Sequence, residues 1–176
     1  MSLEKGYIQI YTGNGKGKTS AAIGQAMRAA GSGLKTFIVM FMKDFLYGEI
    51  KSIKHFSDCI RIEQYGNDTF VLRQKQPDDK DIAAAQQALK QARKAMLSAK
   101  YDIVIMDEVC VAIHFGLLRN EAVVSIMAEK PSEVELILTG RYCPAAIVEK
   151  ADLVTEMQEF KHYYQKGVAT RKGIES

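Results

Sequence analysis

The chain is poor in cysteine, has no long apolar run and carries no strong charge of either sign, and each shortage removes a class of protein. Its three cysteines, Cys59, Cys110 and Cys143, are odd in number, far apart in sequence and form no C-x-x-C pair. Neither a disulfide framework nor a zinc site is therefore expected, and a reducing cytosol fits. The longest purely apolar stretch, Phe37 to Met42, falls far short of the ~20 residues that a membrane span needs. The N-terminal MSLEKGYIQIY lacks the basic-then-apolar pattern of a secretion signal. A cytoplasmic protein without membrane attachment is expected. Lysine and arginine total 24 against 21 aspartate and glutamate, a net charge of +3, so any preference for anions must come from local placement. A serine nucleophile elbow, an H-E-x-x-H pair and the H-R-D and D-F-G signatures of protein kinases are also missing, which excludes those chemistries by motif.

What remains is a chain of 176 residues, 47% apolar and 26% charged, close to globular averages and sized for one domain over residues 1–176. No repeat of fixed period and no low-complexity linker interrupts it. Tyr7 to Tyr11 alternates like a strand and runs into Thr12-Gly13-Asn14-Gly15, a turn-rich stop. From Lys18 a helical pattern places Ala22, Ala26 and Ala29 on one stripe beside Ile23, and Gly31-Ser32-Gly33 ends it. The run Thr36 to Met42 between two lysines suits a strand covered on both faces, hence a parallel sheet. Gly48 to Phe56 reads as a short helix, Ile60 to Gln64 as a strand, and a polar loop follows to Pro77. A long helix to about Ala99 carries a stripe of Ile82, Leu89 and Met96. Asp102 to Glu108, Val134 to Thr139 and Leu153 to Met157 complete the strands. Ligands of such a sheet bind at the carboxyl ends of its strands.

The segment TGNGKGKT, residues 12 to 19, lies between the first strand and the first helix. In that context glycine-rich backbone turns its N–H groups onto phosphate oxygens, the helix N-terminus adds partial positive charge, Lys18 supplies a point charge and Thr19 a hydroxyl for Mg²⁺. The spacing departs from G-x-x-x-x-G-K-[ST]: Thr12 stands where the first glycine belongs, Gly13, Gly15 and Gly17 alternate, and Lys16 adds a charge. The phosphate cradle is expected to be present but altered. The expected fold is α/β and P-loop NTPase-like (RecA-like), a mainly parallel sheet flanked by helices on both faces.

Asp107 and Glu108 end an apolar strand in the manner of a Walker B element, where carboxylates hold or orient Mg²⁺. Alone, such a pair is a solvated strand end; beside a phosphate loop it reads as a metal site. Arg141, after Thr139-Gly140, can clamp phosphate from a neighbouring strand end, while Arg28 is either a nucleotide contact or an exposed cation. Glu149-Lys150-Ala151-Asp152 resembles a guanine-reading motif without its asparagine and reads as a helix end. Cys110 and His114 have helical spacing but do not make a metal site. The basic, aromatic tail from Lys161 to Gly173 is suited to nucleic acid, to covering an anionic ligand, or simply to solvent. On these residues alone an ATPase, a nucleotide-dependent regulator and a small-molecule kinase all stay open.

Taken in order, YTGNGKGKTSAA (11–22), the strand into Met42-Lys43 with Gly48-Glu49 beyond, IMDE (105–108), LTGRY (138–142), ADLVTEM (151–157) and KHYYQKGVATRKGIE (161–175) resemble the ATP:corrinoid adenosyltransferases over nearly the whole chain. Threonine in the first glycine position is itself a feature of that family. The resemblance implies transfer of the 5′-deoxyadenosyl group of ATP to cobalt(I) of a reduced corrinoid, with triphosphate released, in adenosylcobalamin synthesis or salvage. Carried over by position, Thr12, Gly13, Asn14, Gly15, Lys16, Gly17, Lys18, Thr19 and Ser20 hold the triphosphate. Thr19, Asp107 and Glu108 position Mg²⁺, and Arg28 and Arg141 contact the nucleotide, with Lys18, Arg141 and Glu108 the residues closest to catalysis. Some members place aromatic residues after the glycine of the loop following the third strand, where they ease cobalt reduction; Phe70 is the nearest candidate here. Better-known members also carry an N-terminal extension over the partner subunit's corrinoid, whereas this chain enters its first strand almost at once, so no such lid is expected. The resemblance further implies a homodimer and a flavoprotein reductant, and neither a membrane nor a nucleic-acid partner is expected.

Overall fold

The computed structural model describes residues 3–45, 47–69 and 76–175; Phe70 lies outside the described residues. Strand β1 (Ile8–Thr12) leads through the glycine loop into α1 (Lys18–Gly31), then β2 (Thr36–Phe41), α2 (Gly48–Ile53), a 3₁₀ turn (Lys54–Phe56) and β3 (Ile60–Tyr65). The long helix α3 (Asp79–Met96) follows, then β4 (Ile103–Asp107), α4 (Val109–His114), α5 (Asn120–Ala128), β5 (Glu135–Thr139), α6 (Ala145–Val148), β6 (Leu153–Glu156) and a 3₁₀ turn (Tyr163–Lys166). Helix α3 starts on a reciprocal cap in which Asp78 and Asp81 accept from each other's backbone N–H groups. It ends at Met96, slightly before the boundary expected from sequence.

The six strands pair in the order β3-β2-β4-β5-β1-β6, every pair parallel. Side chains of a strand alternate between faces, so a strand covered on both sides is apolar throughout. Phe37, Val39 and Phe41 of β2, Val104 and Met106 of β4, and Leu136 and Leu138 of β5 pack on one face with α3, α4, α5 and α6. Ile38, Met40, Ile103, Ile105 and Ile137 pack on the other, against Ala22, Ile23, Ala26 and Ala29 of α1 and Ile50 and Ile53 of α2. The alanine stripe expected on α1 is thus its buried face. No helix among the described residues is long and apolar enough to cross a membrane.

Parallel pairing puts the carboxyl ends of all six strands on one edge. The order inserts β5 between β1, which feeds the glycine loop, and β4, which ends in Asp107. Residues after β6 then fold back on the loop: Gly15 N–H donates to Met157 O at 2.6 Å, and Met157 N–H donates to Thr12 O at 2.9 Å. A Cβ on Gly15 would lie 2.7 Å from Met157 O, whereas one on Gly24, in the middle of α1, would meet nothing within 4 Å. Gly15→Ala should therefore lower stability by ~1–3 kcal/mol through overpacking. Gly24→Ala should raise it by about 0.4–1 kcal/mol by reducing the freedom of the unfolded chain. Urea unfolding of both variants checks the contrast, and equal midpoints would show that the loop and Met157 are not rigidly docked.

Candidate functional site: a phosphate loop facing a buried carboxylate

Helix α1 begins at Gly17 with φ 121°, has no side-chain cap and carries no acidic residue in its first turn. Its free N–H groups and the positive end of its dipole are left for an anion. Lys18 is buried, and its Nζ donates to Gly13 O at 2.7 Å and Gly15 O at 2.8 Å. Burial pushes the Lys18 ammonium below the usual lysine range, against the pull of Glu108. The loop's own carbonyls therefore hold a poorly solvated cation at the mouth of the site. Thr12 does not face this mouth; its hydroxyl donates to Gly140 O at 2.8 Å and ties the start of the loop to the end of β5.

Across the edge, Asp107 is only 1% exposed. Its Oδ1 accepts from the Thr139 hydroxyl at 2.7 Å, and its Oδ2 accepts from Lys43 Nζ at 2.6 Å. Lys43 Nζ also lies 3.4 Å from Thr19 Oγ1 and 5.6 Å from the centre of the Tyr47 ring. Desolvation opposes the charge on Lys43, but Asp107 and Glu108 outweigh it and raise the ammonium above its ordinary value. Glu108 sits in the left-handed region at φ 64°, a conformation costing roughly 1–2 kcal/mol for a residue with a side chain. Its N–H donates to Thr139 Oγ1 at 2.9 Å and its C=O accepts from Ala112 N–H at 3.0 Å, so β5 and α4 impose the turn. Burial, followed by the neighbouring Asp107, pushes the Glu108 carboxyl up.

These groups border an open cleft of about 780 Å³. Asn14 to Ser20, Lys43, Tyr47, Glu49, Glu108 and Arg141 line it, joined by His162 and residues 173–175 of the tail. The structure thus brings Gly15, Lys16, Gly17, Lys18, Thr19, Ser20, Glu108 and Arg141 together, with Asp107 buried behind them. Arg28 is not among the lining residues: it is exposed, reaches Gln25 Oε1 at 3.5 Å, and α1 offers Ser20, Ile23, Gly24 and Met27 to the cleft instead. Cys110 and His114, four apart on α4, meet different surroundings: Cys110 is buried, while exposed His114 stacks on Tyr142 at 4.1 Å. Cys110 instead meets Cys143, whose hydrogen bond, with burial, pushes its thiol up.

Lys43 is the site residue to which the sequence assigns no role: it closes an apolar run within the resemblance, and its one signal is its place just after the carboxyl end of a strand. The tail, for which covering an anionic ligand is one of the open readings, does reach the cleft. The tail folds over the loop: Lys16 Nζ contacts Tyr163 Oη at 3.3 Å, Ile174 O at 3.0 Å and Glu175 Oε1 at 3.1 Å, while Arg171 pairs with Glu175 at 2.9 Å.

A glycine loop running into α1, a carboxylate strand one strand removed from it and a cation-lined cleft at their carboxyl ends define an α/β protein of the P-loop class. Residues 4–176 match the model of the family described as ATP:corrinoid adenosyltransferase BtuR/CobO/CobP. The chain is 33% identical to the corrinoid adenosyltransferase of Escherichia coli K12, over 98% of this chain and 86% of that one. It is 32% identical to that of Pseudomonas aeruginosa, over 98% and 84%. With corrinoid adenosyltransferase CobA of Salmonella typhimurium LT2 it shares 30% identity over 98% and 86%. The chain belongs to the ATP:corrinoid adenosyltransferase family, and it is a transferase of that class.

Thr139 gives this site its sharpest test, because one hydroxyl serves both Asp107 and Glu108. Thr139→Val keeps the volume but orphans a buried carboxylate oxygen and a backbone N–H, so it should cost about 1–3 kcal/mol for each group left unpaired. Thr139→Ser keeps the hydroxyl and should cost ~0.8 kcal/mol, the value of one buried methyl. Comparable losses for the two variants in urea unfolding would remove the hydroxyl from this account.

Proposed function

We propose that the cleft binds the triphosphate of ATP with Mg²⁺ and presents C5′ of the nucleotide to cobalt(I) of a reduced corrinoid. The observation that carries this reading is the convergence of Lys18, Lys16, Arg141 and the first turn of α1 on one cleft, in a chain of this family. In the reaction the cobalt(I) electron pair forms the cobalt–carbon bond, the C5′–O bond breaks, and its electron pair leaves on triphosphate. No proton moves at the reacting centre, so neither Glu108 nor another carboxylate acts as a general base. The protein's tasks are to align C5′ with the metal of the substrate and to stabilise charge gathering on the leaving group. The loop N–H groups, Lys18 and Arg141 supply that stabilisation.

The donor set suits magnesium. Thr19, Asp107 and Glu108 offer hard oxygens, and Mg²⁺ is commonly held by one or two carboxylates plus substrate phosphates. Among the described residues no group of three or more histidine, cysteine, aspartate or glutamate side chains is placed to hold a metal, so the phosphates would supply the remaining ligands. Bound there, the ion would neutralise part of the triphosphate charge. The single domain over residues 1–176, a homodimer, a flavoprotein reductant and a cytoplasmic setting, in keeping with free Cys59, Cys110 and Cys143, belong to the same proposal.

The test is an anaerobic assay with Mg-ATP and chemically reduced cobalamin, following loss of cobalt(I) absorbance and identifying the phosphate product. Light-sensitive adenosylcobalamin with triphosphate is expected; orthophosphate released without corrinoid, beside an active control enzyme, would make the protein an ATPase. Lys18→Ala should lower kcat/KM by about 10²–10³, the usual loss for one preorganised donor to a leaving charge. It should change stability by only about 1 kcal/mol. A folded, fully active variant would remove Lys18 from the mechanism.

A further inference from the structure

Asp107 is buried behind the cleft, and Lys43 stands between one of its oxygens and the opening. Thr139 holds Oδ1 at 2.7 Å, and Oδ2 faces Lys43 Nζ at 2.6 Å. The same ammonium reaches Thr19 Oγ1 at 3.4 Å, so it sits between two of the groups assigned above to magnesium. Mg²⁺ takes its ligands at about 2.0–2.1 Å. Since the ammonium is within reach of both oxygens, an ion held by either of them would compete with it for the space between. Lys43 borders the cleft, its side chain is 14% exposed against 1% for Asp107, and the Tyr47 ring beside it offers a face for the ammonium once phosphate draws it away.

We propose that Lys43 is a positioning residue that occupies the magnesium place in the empty enzyme and keeps metal from binding until nucleotide arrives. The inference rests on the magnesium reading given above. The ammonium holds Asp107 Oδ2 at 2.6 Å and competes with free divalent ions. Metal enters with the triphosphate, because phosphate oxygens supply both the missing metal ligands and a new partner for the displaced ammonium. Lys43 thereby sets the order of loading, without itself touching the reacting atoms in the empty state.

The competition is read directly by titrating Mn²⁺ alone, without nucleotide or corrinoid, and measuring free ion by electron paramagnetic resonance. Wild type should bind weakly, and Lys43→Met should bind at least about tenfold more tightly, a difference of one decade in dissociation constant. Lys43→Arg, which keeps the charge, should stay as weak as wild type. Should Lys43→Met fail to fold, Lys43→Gln serves, since its amide retains a hydrogen bond to Asp107 while removing the charge. An ion pair that merely stabilised the fold would give folded neutral variants with no gain in Mn²⁺ affinity, and that result overturns the proposal. Asp107→Asn separates the two readings: it should abolish the Mn²⁺ binding gained with Lys43→Met. Full retention of that binding would overturn the magnesium site itself.

Discussion

A carboxyl group at the carboxyl end of a central strand, with 1% of its surface exposed, is tolerable only if partners replace the water it has lost. Asp107 has two, and they come from opposite directions: Thr139 from β5 on one side and Lys43, just beyond β2, on the other. Removing one partner from a buried pair typically costs about 3–5 kcal/mol, because the remaining charge stays uncompensated. The strand order is what makes both partners available, since β4 lies between β2 and β5. The same hydroxyl that serves Asp107 accepts from Glu108 N–H and so fixes the left-handed turn that starts α4. The carboxylate pair, the turn and the cation opposite them form one coupled arrangement.

Much of this was legible in the sequence because the physics involved is local. A continuous apolar strand declares that both its faces are covered, and Thr36 to Phe41 does divide its side chains between two cores. The glycine loop and the Asp107-Glu108 strand end announce themselves through residue types that have few other uses together. Lys43 was not legible, since a lysine after a strand is ordinarily a solvated end and becomes a site residue only through a carboxylate 64 positions away. Arg28 follows Ser20 and Gly24 on one stripe of α1, at spacings of eight and four residues, and lies exposed one turn past Gly24, outside the lining of the cleft. How far along a helix a cleft extends is tertiary information.

The tail shows the same dependence on distance. Its basic and aromatic residues allowed nucleic acid, an anionic ligand or solvent, and folding resolves part of that choice by placing the carboxylate of Glu175 against Lys16 and Arg171. These exposed pairs are individually worth little, commonly 0–1 kcal/mol. Their effect is positional, since they hold residues 173–175 at the rim of the cleft and Tyr163 against Lys16.

The altered glycine spacing of the loop has a packing origin. A Cβ on Gly13 would lie 2.5 Å from Met157 O and one on Gly15 would lie 2.7 Å from it, so alternate residues must be bare where the chain after β6 crosses the loop. Met157 N–H in turn donates to Thr12 O, and the Thr12 hydroxyl donates to Gly140 O at the end of β5. A threonine in the first glycine position therefore has a structural task, joining the loop to the strand that delivers Arg141. The loop's shape is held by the edge strand on one side and by β5 on the other, and its backbone donors are set before any ligand arrives. Preorganisation of that kind suits a reaction whose nucleophile is supplied by the substrate and whose main demand on the protein is a rigid seat for a departing polyanion.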